Sequence, residues 1–205
     1  MDVIGWLGSA LLVVSLAQTR VLRFRALNLL AAVLLIVFNM AIQAWPMVAL
    51  NAVVAVLNTW VLFRLTRTRH DDRAYEVVPI GTAEPYLGNL LTRHARDIAR
   101  FNPELAPDVQ DRADLAFLTL SGGETVGVVL ARRTGTPGEA QVLLDYVLPR
   151  FRDFTPGEFV FRPGGPFAAR GVHRVLAPAG MRGSTAYLRA IGFRPGPDGL
   201  ALDLP

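Results

Sequence analysis

The run Arg152-Asp153-Phe154-Thr155-Pro156-Gly157 is where residue types and spacing in this 205-residue chain could hold an anion. Arginine supplies charge, glycine lets a ligand approach the backbone, and N–H groups entering a helix point at one spot, which suits a pyrophosphate. The same run also reads as a plain helix entry, with Asp153 or Thr155 as the cap and Pro156 and Gly157 in the first turn. Proton transfer needs other groups. Tyr187 lies on a short amphipathic run near the end of the chain, while Glu76, Glu124 and Asp145 lie on or beside expected strands, and spacing singles out none of them as a base. There is no cysteine, which excludes disulfides, thiolate metal sites and a cysteine nucleophile. His70, His94 and His173 show no ligand spacing, so no metal is expected.

A domain must hold these residues, and 74–205 is long enough for one with its own core. YEVVPI reads as a strand, and 82–101 as a helix with Thr82 as N-cap. LAFLTL and TVGVVLARR form a hairpin whose Gly-Gly turn supplies positive φ, and 140–148 is a long strand. A helix is expected from Gly157, short or broken because PGGP at 163–166 interrupts it. Then come the strand VHRVLA, a helix over 184–191 and a terminal strand, LALDL. The order β, α, β, β, β, α, β, α, β predicts an α/β domain with a mixed sheet.

The first third is of another kind. Neither 3–19 nor 26–63 contains a charged residue, and a hydrocarbon core about 30 Å thick is crossed by roughly 17 to 25 helical residues. Pro46 divides the second run, which predicts three membrane helices over 3–19, 26–45 and 47–63, within a unit 1–65. Arg20, Arg23 and Arg25 separate the first two, Arg64, Arg67 and Arg69 follow the third, and a charged linker covers 66–73. The opposite ends hold no basic side chain, so the N-terminus faces out and the 74–205 domain is cytoplasmic. Residues before His70 carry a net +5 and the remainder −1, so the pI of about 10.3 is a topology signal rather than a mark of nucleic-acid binding. Gly5, Gly8 and Ser9 let a neighbouring helix approach closely. Gln18, Asn28, Asn39, Gln43, Asn51 and Asn58 want polar partners, either helix-to-helix hydrogen bonds or a polar path. Three short spans cannot satisfy six amides among themselves, so a homodimer through the helices is expected.

AQT near the end of the first helix and WPMVALN entering the third resemble YgjV-type bacterial inner-membrane proteins and, more distantly, the three-helix half-unit of PQ-loop and SemiSWEET sugar transporters. That resemblance implies a path lined by residues such as Gln18 and Asn51, with Ala17 where the family has its hinge proline. DYVLPRFRDFTPGEFVF, 145–161, and AYLRAIGF, 186–193, resemble the GNAT acetyltransferases. This second resemblance implies acetyl-CoA or another acyl-CoA held by Val147, Arg152, Asp153, Phe154, Thr155 and Gly157. Tyr187 lies one residue before the family's proton-donating tyrosine, where Leu188 stands, and a one-residue shift turns a helical side chain by about 100°.

Two functional classes are expected. One is an inner-membrane GNAT-like acyltransferase, the other a small transporter-like or scaffold protein with a non-catalytic GNAT-like domain. A dry, convergent cleft between the Asp145 strand and the Val172 strand, with the N–H groups of 152–158 unpaired, favours the first. Filling of that cleft by Phe154, Phe159 or the PGGP segment favours the second.

Overall fold

The structure is a computed structural model that describes residues 2–18, 20–67, 75–152, 156–179, 181, 184–196 and 199–204. The chain divides into two compact units, Met1–Asp71 with Pro149–Phe154, and Asp72–Leu148 with Thr155–Pro205.

The first unit is built on α1 (Asp2–Leu16), α2 (Val21–Ala41) and α3 (Trp45–Arg67). α2 and α3 are long and apolar enough to cross a membrane. α1 has 15 residues and rises about 22 Å, short of a hydrocarbon core of about 30 Å. α2 begins five residues before the expected 26, so Arg23 and Arg25 sit on its first turns and not in the connection. The chain reverses at Gln43, whose φ is 57°, and Pro46 falls in the first turn of α3, where its missing N–H is tolerated. Gly5 and Gly8 are buried against α2. A Cβ on Gly5 would stand 2.9 Å from the Phe38 ring, and one on Gly8 2.9 Å from Leu35 Cγ. Ser9, by contrast, is exposed, and Ser15 fills the buried position.

The amides divide by partner. Asn51 Nδ2 and Asn58 Nδ2 donate to carbonyls one turn back on α3, both at 2.8 Å. Across the helices, Arg25 Nη1 donates to Asn58 Oδ1 at 3.3 Å, while Arg25 Nε and Asn28 Oδ1 are buried without a partner. Gln18 lies beyond the end of α1. In the expected linker, Thr66 and Arg67 belong to α3 and 68–73 lies outside the described residues.

The second unit is a seven-stranded mixed sheet in the order β1-β2-β3-β4-β5-β7-β6. Its strands are β1 (Glu76–Ile80), β2 (Leu115–Ser121), β3 (Glu124–Arg133), β4 (Glu139–Val147), β5 (Arg174–Pro178), β6 (Arg194–Gly196) and β7 (Gly199–Asp203). Every neighbouring pair is antiparallel except β4 with β5. The α/β class and mixed sheet expected from the sequence are thus the fold found. Gly122 and Gly123 take φ of 58° and 82° in the β2–β3 turn, a conformation that glycine adopts without steric penalty.

Helix α4 (Pro85–Phe101) buries Leu87, Leu90 and Ile98 against Leu118, Val128, Leu130, Leu144 and Tyr146 on one face of the sheet. Tyr146 donates to Asp97 Oδ2 at 2.7 Å and fixes α4 over β4. The helix starts behind Glu84 with Pro85 in its first turn, and Thr82 is not its cap. Instead the Thr82 carbonyl accepts from Gln110 Nε2 at 2.7 Å.

On the other face, Leu115, Phe117, Val129, Ala140, Val142, Val175 and Ala177 meet Val160, Phe161, Phe167, Leu188 and Phe193. Leu188 comes from α5 (Thr185–Ala190). The helix expected from Gly157 is not an α-helix: the described part of this segment forms 3₁₀ turns at Pro156–Phe159 and Ala168–Arg170. Prolines 156, 163 and 166 and the buried Gly165, where a Cβ would meet the Arg162 carbonyl at 2.8 Å, leave no room for continuous α-helix.

Candidate functional site

Register places the site. Along β3 and β4, Leu130 pairs with Leu144 but Ala131 pairs with Val142, so Leu143 is an extra residue on β4. A bulge of this kind reverses the alternation of side chains beyond it. Ala140 and Val142 face the Phe161–Phe167 core, Leu144 and Tyr146 face α4, and Asp145 therefore points back to the first face. There, 3₁₀ turn Pro156–Phe159 and α5 bring Gly157 and Tyr187 to the same carboxyl.

A Cβ built on Gly157 would collide with the Tyr187 hydroxyl and stand 3.2 and 3.3 Å from Asp145 Oδ1 and Oδ2. The absence of a side chain at 157 is what lets the two acids face one point. Asp145 Oδ2 and the Tyr187 hydroxyl are both buried with no hydrogen-bond partner, an unusual state for polar atoms inside a protein. Burial pushes the Asp145 carboxyl up to about 7 from 3.8. Burial, then the charges of Asp145 and Glu158, hold the Tyr187 hydroxyl well above its ordinary value of 10.0. At neutral pH the pair is a carboxyl that can lose or take a proton and a phenol that keeps its own.

Asp145 and Tyr187 lie where β4 leaves β5. The parallel pairing covers only Glu139, Ala140 and Gln141 against Arg174, Val175 and Leu176, and beyond it each strand continues unpaired with the other. On the α4 side of the sheet this parting opens into a cleft of about 260 Å³, whose walls include Val142, Leu143, Pro178 and Met181. On the Gly157 side the space is packed. Phe159 is buried and stacks on Tyr75 with ring centroids 4.8 Å apart, and Phe161 and Phe167 fill the core. A cleft thus opens on the α4 face and Phe159 is packed on the Gly157 face, while residues 153–155 of the expected anion-binding run lie outside the described residues.

Of the other residues singled out by the sequence, Val147 ends β4 opposite Gly127, where a Cβ would meet the Tyr146 carbonyl at 3.3 Å. Gly157 belongs to the second unit and Arg152 to the first. Asp153, Phe154 and Thr155 lie outside the described residues. Glu76 and Glu124 sit at exposed strand ends, so burial separates Asp145 from the other two carboxylates. Tyr187, one position early for the family pattern, still has its hydroxyl inside, while Leu188 packs in the core. Among the described residues, no group of three or more His, Cys, Asp or Glu side chains is placed to hold a metal ion.

No family model matches the sequence, and no curated protein matches it. Among solved structures, the chain is similar to the putative N-acetyltransferase YhhK from E. coli bound to coenzyme A, at 14% identity and a TM-score of 0.40, over 63% of this chain and 98% of that one. It is also similar to the catalytic domain of the Tetrahymena GCN5 histone acetyltransferase in complex with coenzyme A, at 12% identity and a TM-score of 0.37, over 63% and 90%. A third is a probable acetyltransferase from Staphylococcus epidermidis, at 9% identity and a TM-score of 0.35, over 64% and 99%. Likeness this low speaks to fold at most, and the chemistry of the site rests on its own geometry.

Proposed function

We propose that this chain is a membrane-anchored GNAT-like acyltransferase that moves an acyl group from acyl-CoA to an amine. The observation that carries the reading is the buried Asp145–Tyr187 pair, without partners and converging on Gly157 beside the parting of β4 and β5. Transfer to an amine needs a base that works near neutrality and a donor for the leaving sulfur. Asp145, with its carboxyl raised to about 7, suits the first task, and the protonated Tyr187 hydroxyl suits the second. As the amine nitrogen attacks the thioester carbonyl, a C–N bond forms and the C–S bond breaks. Asp145 takes the amine proton and Tyr187 donates to the departing thiolate. The sheet order, with its one parallel pair, and the resemblance carried by 145–161 and 186–193 support the same reading.

Membrane attachment is supported by where apolar surface lies. Among the described residues, the large exposed hydrophobic side chains run from Val3 to Phe63, with Tyr86 the exception. A monomeric soluble protein rarely exposes so much apolar surface in one region. Arg20, Arg23 and Arg25 flank the start of α2, and Arg64 and Arg67 end α3, so the basic residues gather at one end of this antiparallel pair. They favour a YgjV-type inner-membrane unit with that end and the α/β domain in the cytoplasm, paired with a second copy through the helices.

A second reading has its own observation. The described part of 156–170 holds only 3₁₀ turns, and Phe159, Phe161 and Phe167 are buried there, as expected of a scaffold with a non-catalytic domain. Calorimetric titration of acetyl-CoA into the full chain in detergent micelles separates the two. The acyltransferase reading expects heat of binding and release of CoA thiol with an amine acceptor, rising with pH through about 7 as Asp145 ionises. No heat at millimolar ligand would leave the non-catalytic reading.

A further inference from the structure

We propose that Arg25 and Asn28 of α2 hold the phosphate of an anionic phospholipid headgroup at the cytoplasmic end of the helices; this rests on the membrane attachment argued above and not on acyl transfer. Arg25 stands four residues into α2, about 6 Å along the axis from its start, a depth within the headgroup region of a bilayer that this end meets. A guanidinium at that depth ordinarily extends on its stem toward water. This one turns inward. Its Nη1 donates at 3.3 Å to Oδ1 of Asn58 on α3, a residue 2% exposed, and its Nε is buried without a partner. Asn28 follows one turn later with Oδ1 also buried and unpartnered. Asn28 stands two turns before Leu35, which meets Gly8 of α1, so the pair lies on α2 between its two neighbours. Unpaired polar atoms in an apolar bundle are costly, and a charged group kept among membrane helices points to a ligand.

Charge and hydrogen bonding define that ligand. Among the described residues of the helical unit Asp2 is the one acid. Gly5 meets Phe38 and Gly8 meets Leu35, so α1 runs antiparallel to α2 and places Asp2 about 24 Å along the bundle from Arg25. An opposite charge compensates only within about 4–6 Å, so Arg25 has no counterion among the described residues of this unit. Arg25 Nη2 and Asn28 Nδ2 make no hydrogen bond among the described residues and, unlike Nε and Oδ1, are not closed off from the surface. Two outward donors one turn apart, one of them charged, match the oxygens of a phosphate. A bilayer supplies that group at this depth in its lipids, and the arginines at the same end of α2 and α3 attract those that are anionic. Free phosphate has the same oxygens, and the test separates the two sources.

The full chain is first floated with vesicles of phosphatidylcholine, with and without phosphatidylglycerol. Failure to float with either overturns the membrane reading itself. Native mass spectrometry of the full chain in micelles holding both lipids then reads what is bound. The parent should retain phosphatidylglycerol in preference to phosphatidylcholine, whose choline neutralises its phosphate. Arg25→Gln should lower the phosphatidylglycerol-bound fraction about tenfold or more. Asn28→Leu, which leaves the Arg25–Asn58 bond in place, should lower it as well while circular dichroism matches the parent. Exposed Arg23→Gln should leave it close to that of the parent. Millimolar inorganic phosphate should not displace the lipid. Equal retention of the two lipids by a chain that floats, or full retention of phosphatidylglycerol by either folded variant, overturns this site alone. Displacement by inorganic phosphate overturns the lipid as its occupant.

Discussion

Replacing Asp145 by asparagine isolates the group on which the chemical reading depends. In the folded domain this carboxyl titrates at about 7 because it is buried without a partner, and the unfolded chain returns it to 3.8. Between those values the folded protein keeps a proton that the unfolded chain has lost, so stability falls as pH rises. The contribution is complete below pH 3.8 and gone once pH has passed about 7. At roughly 1.4 kcal/mol per pH unit the difference amounts to about 4 kcal/mol. The Asp145→Asn protein carries no proton to lose. It should match the parent near pH 4 and exceed its stability by about 4 kcal/mol near pH 8, or about 15 °C in melting temperature for a domain of this size. Thermal unfolding followed by circular dichroism across that range measures the difference between the two proteins, in which the titration of all other groups cancels. A difference constant to within about 1 kcal/mol would mean that the carboxyl is solvated, and Asp145 would fall as the base.

Three further substitutions probe other contacts. Gly157→Val drives a side chain into the Tyr187 hydroxyl and the Asp145 oxygens, and overpacking of this kind costs about 1–3 kcal/mol, read as a lower melting temperature together with loss of CoA-thiol release. Gly8→Leu forces α1 away from Leu35, so α1 should lose protection in hydrogen exchange while β2 to β4 keep theirs; unchanged protection in α1 would refute the close helix contact. Asn58→Ala leaves Arg25 Nη1 without its acceptor and should lower resistance of the helical unit to denaturing detergent by about 1–3 kcal/mol, with Asn58→Gln recovering part of the loss.

Local signals in the sequence were enough for most of the elements. The Gly122-Gly123 turn joins β2 and β3 because a tight reversal needs positive φ, and α4 forms because Leu87, Leu90 and Ile98 recur on one face. The length and apolarity of α2 and α3 are likewise written in composition. Helix ends were less legible. Charge gaps marked the start of the second helix at 26, but arginine is a good helix former, and α2 takes in Arg23 and Arg25 from Val21 onward. Between 156 and 170 the prolines announced a broken helix, and packing of Val160, Phe161 and Phe167 against the sheet decided that it would be 3₁₀ turns.

The site shows the division most clearly. The sequence determined the parts: a tyrosine on a short C-terminal helix, a glycine after a long strand and three carboxylates near strands. Which carboxylate joins the tyrosine depends on the pairing of β3 with β4. The extra residue Leu143 is invisible to side-chain periodicity along β4 alone, yet it turns Asp145 from the α4 face to the Gly157 face. Burial follows from that turn, and the raised carboxyl pKa follows from burial. Backbone pairing is a non-local property of two strands, so only the tertiary structure decided which acid stands beside Tyr187.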